Sequence, residues 1–138
     1  MPSGLTGTET YQLLAQALDL RARAQEQIAA NLANQDTPGF KARRLEFQDA
    51  LKGALGSEDA LRPAATHPGH FGASGTDAIR RVHGSESQVR DGAGPDGNTV
   101  APEEEMARLA ENAVMFDAAA QIIGAKYRAL KYVIREGH

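Results

Sequence analysis

The last third of the chain limits the possible folds more than any other part. Met106, Leu109, Ala113, Phe116, Ala120, Ile123, Tyr127, Leu130 and Ile134 follow alternating steps of three and four without a break. That spacing puts side chains on one stripe of an α-helix, and sustained over about four heptads it is the seam pattern of a coiled coil. Pro102 suits the first helical position, where its missing N–H is no loss. Glu103, Glu104 and Glu105 then fall in the first turn and Lys126, Arg128, Lys131 and Arg135 toward the far end, the charge order a helix dipole favours. At 1.5 Å per residue, residues 103–136 predict a rod of about 50 Å. Beside the stripe runs a second line of small and apolar residues, Ala110, Val114, Ala118, Ile122, Ala125, Ala129 and Val133. Together the two lines make an apolar arc too wide for one partner helix, so Ala110, Val114, Ala118, Ile122, Ala129 and Val133 are candidates for contact with neighbouring subunits. The alternative is a self-contained bundle whose middle segment folds over that face.

A second helix is expected near the beginning. Thr6 with Glu9 three residues later reads as a capping box. From there Tyr11, Leu14, Leu18, Arg21, Gln25, Ile28 and Leu32 keep the same alternation with two polar interruptions. Asn34 and Thr37-Pro38-Gly39 close the helix, because proline biases its predecessor toward extended geometry and cannot continue the ladder. The periodicity predicts that Leu14, Leu18, Ile28 and Leu32 pack within the subunit against Met106, Leu109, Phe116, Ile123, Tyr127 and Leu130. The expected fold class is therefore mainly α: two long terminal helices in an antiparallel coiled-coil hairpin, with a loop-rich middle holding at most a little β structure.

Between the helices the signal weakens. Residues 53–98 hold nine of the 14 glycines and only six large apolar residues, Leu55, Leu61, Phe71, Ile79, Val82 and Val89. Such a stretch is expected to contribute little core and to form a loose excursion or a small strand-and-loop patch. Leu45-Glu46-Phe47 alternates like an extended piece, while Phe47 and Leu51 have the spacing of a short helix, and periodicity leaves both open. Three parts result: residues 1–52, 53–98 and 99–138, the first and last forming one discontinuous helical domain.

Charge narrows the function. Six basic and six acidic groups fall in residues 1–52, four and six in 53–98, and five and six in 99–138, so nothing resembles the basic footprint that nucleic acid requires. There is no Cys to form a disulfide or thiolate site. The first nine residues lack the basic and apolar regions of a cleaved signal, and no stretch approaches the roughly 20 apolar residues of a membrane span, so direct membrane insertion is not expected.

Catalytic and ligand-binding readings are weak. Gly92-Ala93-Gly94-Pro95-Asp96-Gly97 fits the glycine spacing of a dinucleotide loop, but no apolar strand precedes it. Asp91 to Gly97 lacks the alternating ligands and final Glu of a calcium loop. His67 and His70 could hold a metal only with partners that the sequence does not supply nearby. Consecutive Glu103, Glu104 and Glu105 point in different directions on a helix and cannot share a substrate. The expectation is a protein without cofactor, metal or enzymatic activity.

Asn31-Leu32-Ala33-Asn34-Gln35-Asp36-Thr37-Pro38-Gly39-Phe40-Lys41 closely resembles the signature after the first helix of flagellar rod and hook proteins. Its residues also have a local reading: Asn31 and Asn34 can bond main chain at a helix end, Pro38-Gly39 forces a turn, and Phe40 offers an anchor. Asp96-Gly97-Asn98-Thr99-Val100, then Glu105-Met106 and Ala110-Glu111-Asn112, is similar to the lead-in to the C-terminal helix of proximal-rod members of that family. Thr66-His67-Pro68-Gly69-His70-Phe71 is similar to a pattern in their middle segment. The chain departs from them at Ala101-Pro102, where the family usually has an acidic residue. The resemblance implies the signature residues Asn31, Ala33, Asn34, Thr37, Pro38, Gly39, Phe40 and Lys41 and the lead-in residues Asp96, Gly97, Asn98, Val100 and Glu105. It further implies a structural subunit of the basal-body rod, in the periplasmic space, exported uncleaved through the flagellar type III apparatus. The implied partners are further copies, other rod proteins, the adaptor between membrane ring and rod, and the export gate. The rival readings are another rod component, or a helical adaptor or chaperone-like binding module.

Overall fold

The computed structural model describes residues 7–56, 79, 82–92 and 94–136. Helix α1 spans Gly7–Ala33, strand β1 Arg43–Glu46, helix α2 Gln48–Gly56, strand β2 Ser85–Gln88 and helix α3 Pro102–Glu136. The chain is mainly helical, with the two long terminal helices packed on each other and a small sheet between them in sequence. Thr6, Leu61, Thr66, His67, His70, Phe71 and the capping box lie outside the described residues.

Each helix boundary has a local cause. Beyond α1 the backbone tightens into turns, Asn34 N–H donating to Asn31 O at 3.1 Å, Thr37 N–H to Asn34 O at 3.0 Å and Phe40 N–H to Thr37 O at 3.2 Å. Gly39 takes φ +72°, a conformation that carries no penalty only in glycine. Helix α3 begins at Pro102, and the Ala101 carbonyl accepts from Glu105 N–H at 3.0 Å to close its first turn. The two readings left open at Leu45-Glu46-Phe47 are both realised in succession. The strand ends at Glu46, Phe47 turns inward, and its carbonyl accepts from Leu51 N–H at 3.0 Å to start α2. Strands β1 and β2 pair antiparallel with Leu45 opposite Glu86 and Glu46 opposite Ser85.

The hydrophobic core does not lie between the two long helices. It is formed by Leu13, Leu20 and Ala24 of α1 with Phe47, Ala54, Ile79 and Val82, and Leu45 and Leu51 pack against it. The expectation that residues 53–98 contribute little core is therefore corrected: Ala54, Ile79 and Val82 close it. Three well-placed apolar side chains suffice for a small core however many glycines surround them.

The interface between α1 and α3 is narrower and more polar than the stripes predict. Asn31 of α1 meets Glu105 of α3, and Arg21 meets Asn112, so the helices run antiparallel. Glu105, Asn112 and Ala119, one heptad apart, are the buried residues of α3 among those described. Ile28 is buried, and Leu14, Leu18, Leu32, Leu109, Phe116 and Ile123 are half-buried. Met106, Tyr127 and Leu130, expected to pack within the subunit, are instead 54%, 63% and 62% exposed. Met106 follows the inward-facing Glu105 and is rotated away by about 100°. For Tyr127 and Leu130 the cause is length. From the Asn31–Glu105 pair, α1 runs back 24 residues to Gly7 while α3 runs on 31 to Glu136. About seven residues, two turns of α3, thus extend past the described end of α1.

Candidate assembly site

At one end of the helical hairpin the two motifs singled out in the sequence meet. The side chain of Asn98 is almost fully buried, and its Nδ2 lies 3.0 Å from Asn34 O, 2.9 Å from Gln35 O and 2.8 Å from Thr37 O. These carbonyls belong to the turns that follow α1, so Asn98 clamps the chain just past the helix end from a position more than sixty residues away. Its Oδ1 accepts from Val100 N–H at 2.8 Å, and Asp96 Oδ1 accepts from Asn98 N–H at 3.1 Å, which fixes the loop that presents the amide.

Main-chain bonds join the same two segments. Gly39 N–H donates to Asp96 O at 3.0 Å and Thr99 N–H to Phe40 O at 3.0 Å. Lys41 Nζ donates to Gly97 O at 2.6 Å. Ala42 N–H donates to Thr99 Oγ1 at 2.9 Å, and Val89 N–H to Ala42 O at 2.9 Å, extending the connection into the small sheet. Gly97, at φ +78°, brings its backbone close enough that a Cβ there would lie 3.7 Å from Gly39 Cα.

One layer inward, Asn31 is 0% and Glu105 2% exposed. Asn31 Nδ2 donates to Arg43 O at 2.8 Å and to Glu105 Oε2 at 3.0 Å, while its Oδ1 accepts from Arg43 N–H at 3.0 Å. A single side chain thereby ties α1, β1 and α3 together. Buried amides of this kind persist only where both ends are satisfied, and here both are. Further along the seam Asn112 Nδ2 donates to Arg21 O at 2.9 Å, and the Arg21 guanidinium lies 5.5 Å from the centre of the Phe47 ring. Burial pushes the Arg21 guanidinium below its ordinary range, an effect that Glu111 partly offsets.

The sequence-expected residues thus divide. Asn31, Asn34, Thr37, Gly39, Phe40 and Lys41 gather with Asp96, Gly97, Asn98, Val100 and Glu105 around the clasp. Ala33 and Pro38 are exposed, Ala33 closing α1 and Pro38 placing the turn. Ala110, Val114, Ala118, Ile122, Ala129 and Val133 are all exposed along α3. Thr99, Arg21 and Asn112 carry bonds that periodicity gave no role. The signal for Arg21 was present as a polar interruption of an apolar stripe.

The arrangement offers little to a small ligand. The Gly92–Gly97 loop spends its amides internally, Gly94 N–H on Asn98 O and Gly97 N–H on Gly94 O, both at 2.8 Å, leaving neither for a phosphate. Among the described residues no group of three His, Cys, Asp or Glu side chains could hold a metal ion, and no helix is long and apolar enough to cross a membrane.

Comparison with known proteins supplies the remaining constraint. The sequence model of a family described as flagella basal body rod protein matches residues 12–41, most of α1 and the turn that follows it. The chain is 32% identical over 129 residues to the flagellar basal body rod protein FlgB of Salmonella typhimurium, an alignment covering 89% of this chain and 91% of that one. It is 33% identical over 138 residues to the FlgB protein of Proteus mirabilis and 30% over 128 to that of Bacillus subtilis, each covering 93% of this chain and 95% of the relative.

Proposed function

The chain belongs to the FlgB family of flagellar basal body rod proteins, and on that premise we propose that it is a structural subunit of the proximal rod that assembles through its terminal helices into part of the drive shaft. It does its work by contact and by transmitting torque, without catalysis. Its location is the basal body, in the periplasmic section of the rod, which it reaches uncleaved through the flagellar type III apparatus. The partners are further copies, other rod proteins, the adaptor to the membrane ring and the export gate.

One observation carries this reading. Among the described residues ten large apolar side chains are exposed, and nine of them, Met106, Val114, Met115, Ile122, Tyr127, Leu130, Tyr132, Val133 and Ile134, lie on α3, the tenth being Tyr11 of α1. Burying a side chain of this size stabilises by about 1.5–3 kcal/mol, so covering half of them offsets much of the roughly 4–15 kcal/mol that association costs. The clasp supports the same reading, since it holds the base of α3 fixed while its outer face stays available. Isolation of intact basal bodies from cells making a tagged chain tests it. The chain should co-fractionate with the rod and disappear when earlier rod assembly is blocked; a chain found wholly in the soluble fraction of motile cells would refute the proposal.

A further inference from the structure

A cleft beside the Asn31–Glu105 pair gathers four arginines. It has a volume of about 100 Å³, lies between β1 and α3 against Ala24 and Ile28 of α1, and is lined by Arg21, Arg43, Arg44 and Arg108. Two of the four have partners at hand: Arg21 Nη1 lies 3.5 Å from Asn112 Oδ1, and Arg44 Nη2 meets Glu104 Oε2 at 3.0 Å. Other donors are left over. Arg44 Nε is buried without a hydrogen-bond partner, and among the described residues neither Arg43 nor the half-buried Arg108 makes an ion pair. A buried N–H without an acceptor costs free energy that a suitable acceptor recovers. Glu46, Glu105 and Glu111 line the same cleft, but Glu105 already accepts from Asn31, and none of the three is within 4.0 Å of an arginine nitrogen as an ion pair. Their charge selects the kind of acceptor, because they repel a doubly charged phosphate more than a singly charged carboxylate, whose two oxygens match the guanidinium fork. Arg108, Met115 and Ile122 stand seven residues apart on α3, so the rim of the cleft continues along one line of the helix into two exposed apolar side chains.

We infer that this cleft seats the carboxylate of an Asp or Glu from a helix of a different axial subunit, whose apolar residues one and two heptads from that acid cover Met115 and Ile122. The volume suits one carboxyl group and is well below the roughly 300 Å³ at which pockets for larger ligands begin. The apolar line gives the acid a helix to arrive on, a surface that a free anion does not use. Charge pairing in the cleft fixes the register, and the apolar contact supplies the area. A second copy does not carry the required pattern, since no Asp or Glu of α1 or α3 has large apolar residues both 7 and 14 positions away on one side. The inference rests on the rod reading and names the chemistry of one partner surface.

Nitrogen-15 NMR of the full chain reads the arginine Nε–H signals directly. Titration with sodium acetate, at ionic strength held constant with sodium chloride, should move the Arg44 and Arg108 signals to saturation. Arg44→Lys and Arg108→Lys keep the charge and lose the fork, so each removes and thereby assigns one signal, and each should weaken acetate binding roughly tenfold. Shifts no larger than chloride alone produces overturn the inference, as does tighter binding of inorganic phosphate, the mark of a free-anion site. In cells, Arg108→Glu should stay folded by circular dichroism of the purified chain, abolish swarming and lower the amount of this chain in isolated basal bodies roughly tenfold. Second-site revertants of Arg108→Glu should exchange an Asp or Glu for Lys or Arg in another axial subunit, and revertants that alter no acidic residue overturn the inference. Self-association of the wild type that Arg108→Glu removes assigns the acid to a second copy and overturns the choice of partner. If Arg108→Glu enters basal bodies at wild-type levels, this contact is wrong while the rod reading stands; absence of the wild-type chain from basal bodies refutes the rod reading itself.

Discussion

Asn31 and Glu105, 74 positions apart, meet in the interior with Asn31 Nδ2 3.0 Å from Glu105 Oε2, and together with the Asn112–Arg21 bond this contact fixes the antiparallel register of the long helices. Removing the amide strands a buried carboxyl oxygen together with the N–H and C=O of Arg43. Asn31→Ala is expected to cost about 3 kcal/mol, since unsatisfied buried groups are the expensive kind. In a domain of this size that lowers Tm by on the order of 10 °C. Glu105→Gln keeps an acceptor of the same shape and should cost less than half as much. Equal losses in thermal unfolding would show that Glu105 contributes by charge alone and not by accepting this bond.

The long helices and the turns that bound them were legible because both are local. Alternation of threes and fours specifies a helix, and Pro38-Gly39 and Pro102 mark where helices can stop and start. What the pattern could not give is which neighbour covers which side. Helix α1 has two, the core of Phe47, Ile79 and Val82 and the polar seam of Glu105 and Asn112, so its buried line runs through Leu13, Leu20, Ala24, Ile28 and Asn31 and shares only Ile28 with the expected stripe. Nor does periodicity record where a partner ends, which is why the stripe of α3 continues through Tyr127 and Leu130 past the described end of α1. The signature and the lead-in were each readable as a turn. That the amide of Asn98 would clamp the turn after α1 depends on a contact across the whole middle segment, and no local pattern encodes it.

The Asn98 amide supplies a sharper test of the clasp. Asn98→Ala withdraws the donor from three carbonyls and should destabilise by about 2 kcal/mol. Asn98→Asp should be worse despite being nearly isosteric, because it aims a carboxylate oxygen at carbonyl oxygens. Urea unfolding ranks the two, and an Asp variant as stable as the parent would mean that the amide is oriented the other way round.

Two glycines should respond differently to the same methyl group. At Gly39, with φ +72° and open space around it, Gly39→Ala meets only backbone strain, about 1 kcal/mol. At Gly84 the added carbon would fall 2.5 Å from Leu45 Cδ1, and Leu45 packs against the core, so Gly84→Ala should cost about 1–3 kcal/mol by overpacking. Trimming Leu45 to Ala in the Gly84→Ala background should recover part of the loss relative to the sum of the single changes. Strict additivity of the two in a double-mutant cycle would deny the contact.

Stability should be unevenly distributed between the long helices. Helix α1 contributes Leu13, Leu20 and Ala24 to the core, whereas α3 beyond Ala119 has no buried side chain among the described residues. In amide hydrogen exchange of the dilute chain, residues 13–28 should be the slowest and residues 126–136 among the fastest, with residues 105–112 between them. Equal protection of the two helix ends would mean that the distal half of α3 is held by something other than packing.

The last prediction separates folding from assembly. Val114 and Ile122 are exposed in the subunit, so Val114→Asp with Ile122→Asp should change its unfolding free energy by no more than about 0.5 kcal/mol per site. If α3 buries that face against neighbours in the rod, each introduced carboxylate must be desolvated there without a partner, a cost of several kcal/mol that assembly cannot absorb. The double variant should therefore be made at normal levels, remain folded by circular dichroism, and abolish swarming when it replaces the natural chain. Normal swarming with both aspartates in place would mean that this face of α3 points to water in the finished structure and that the subunits join through other surfaces.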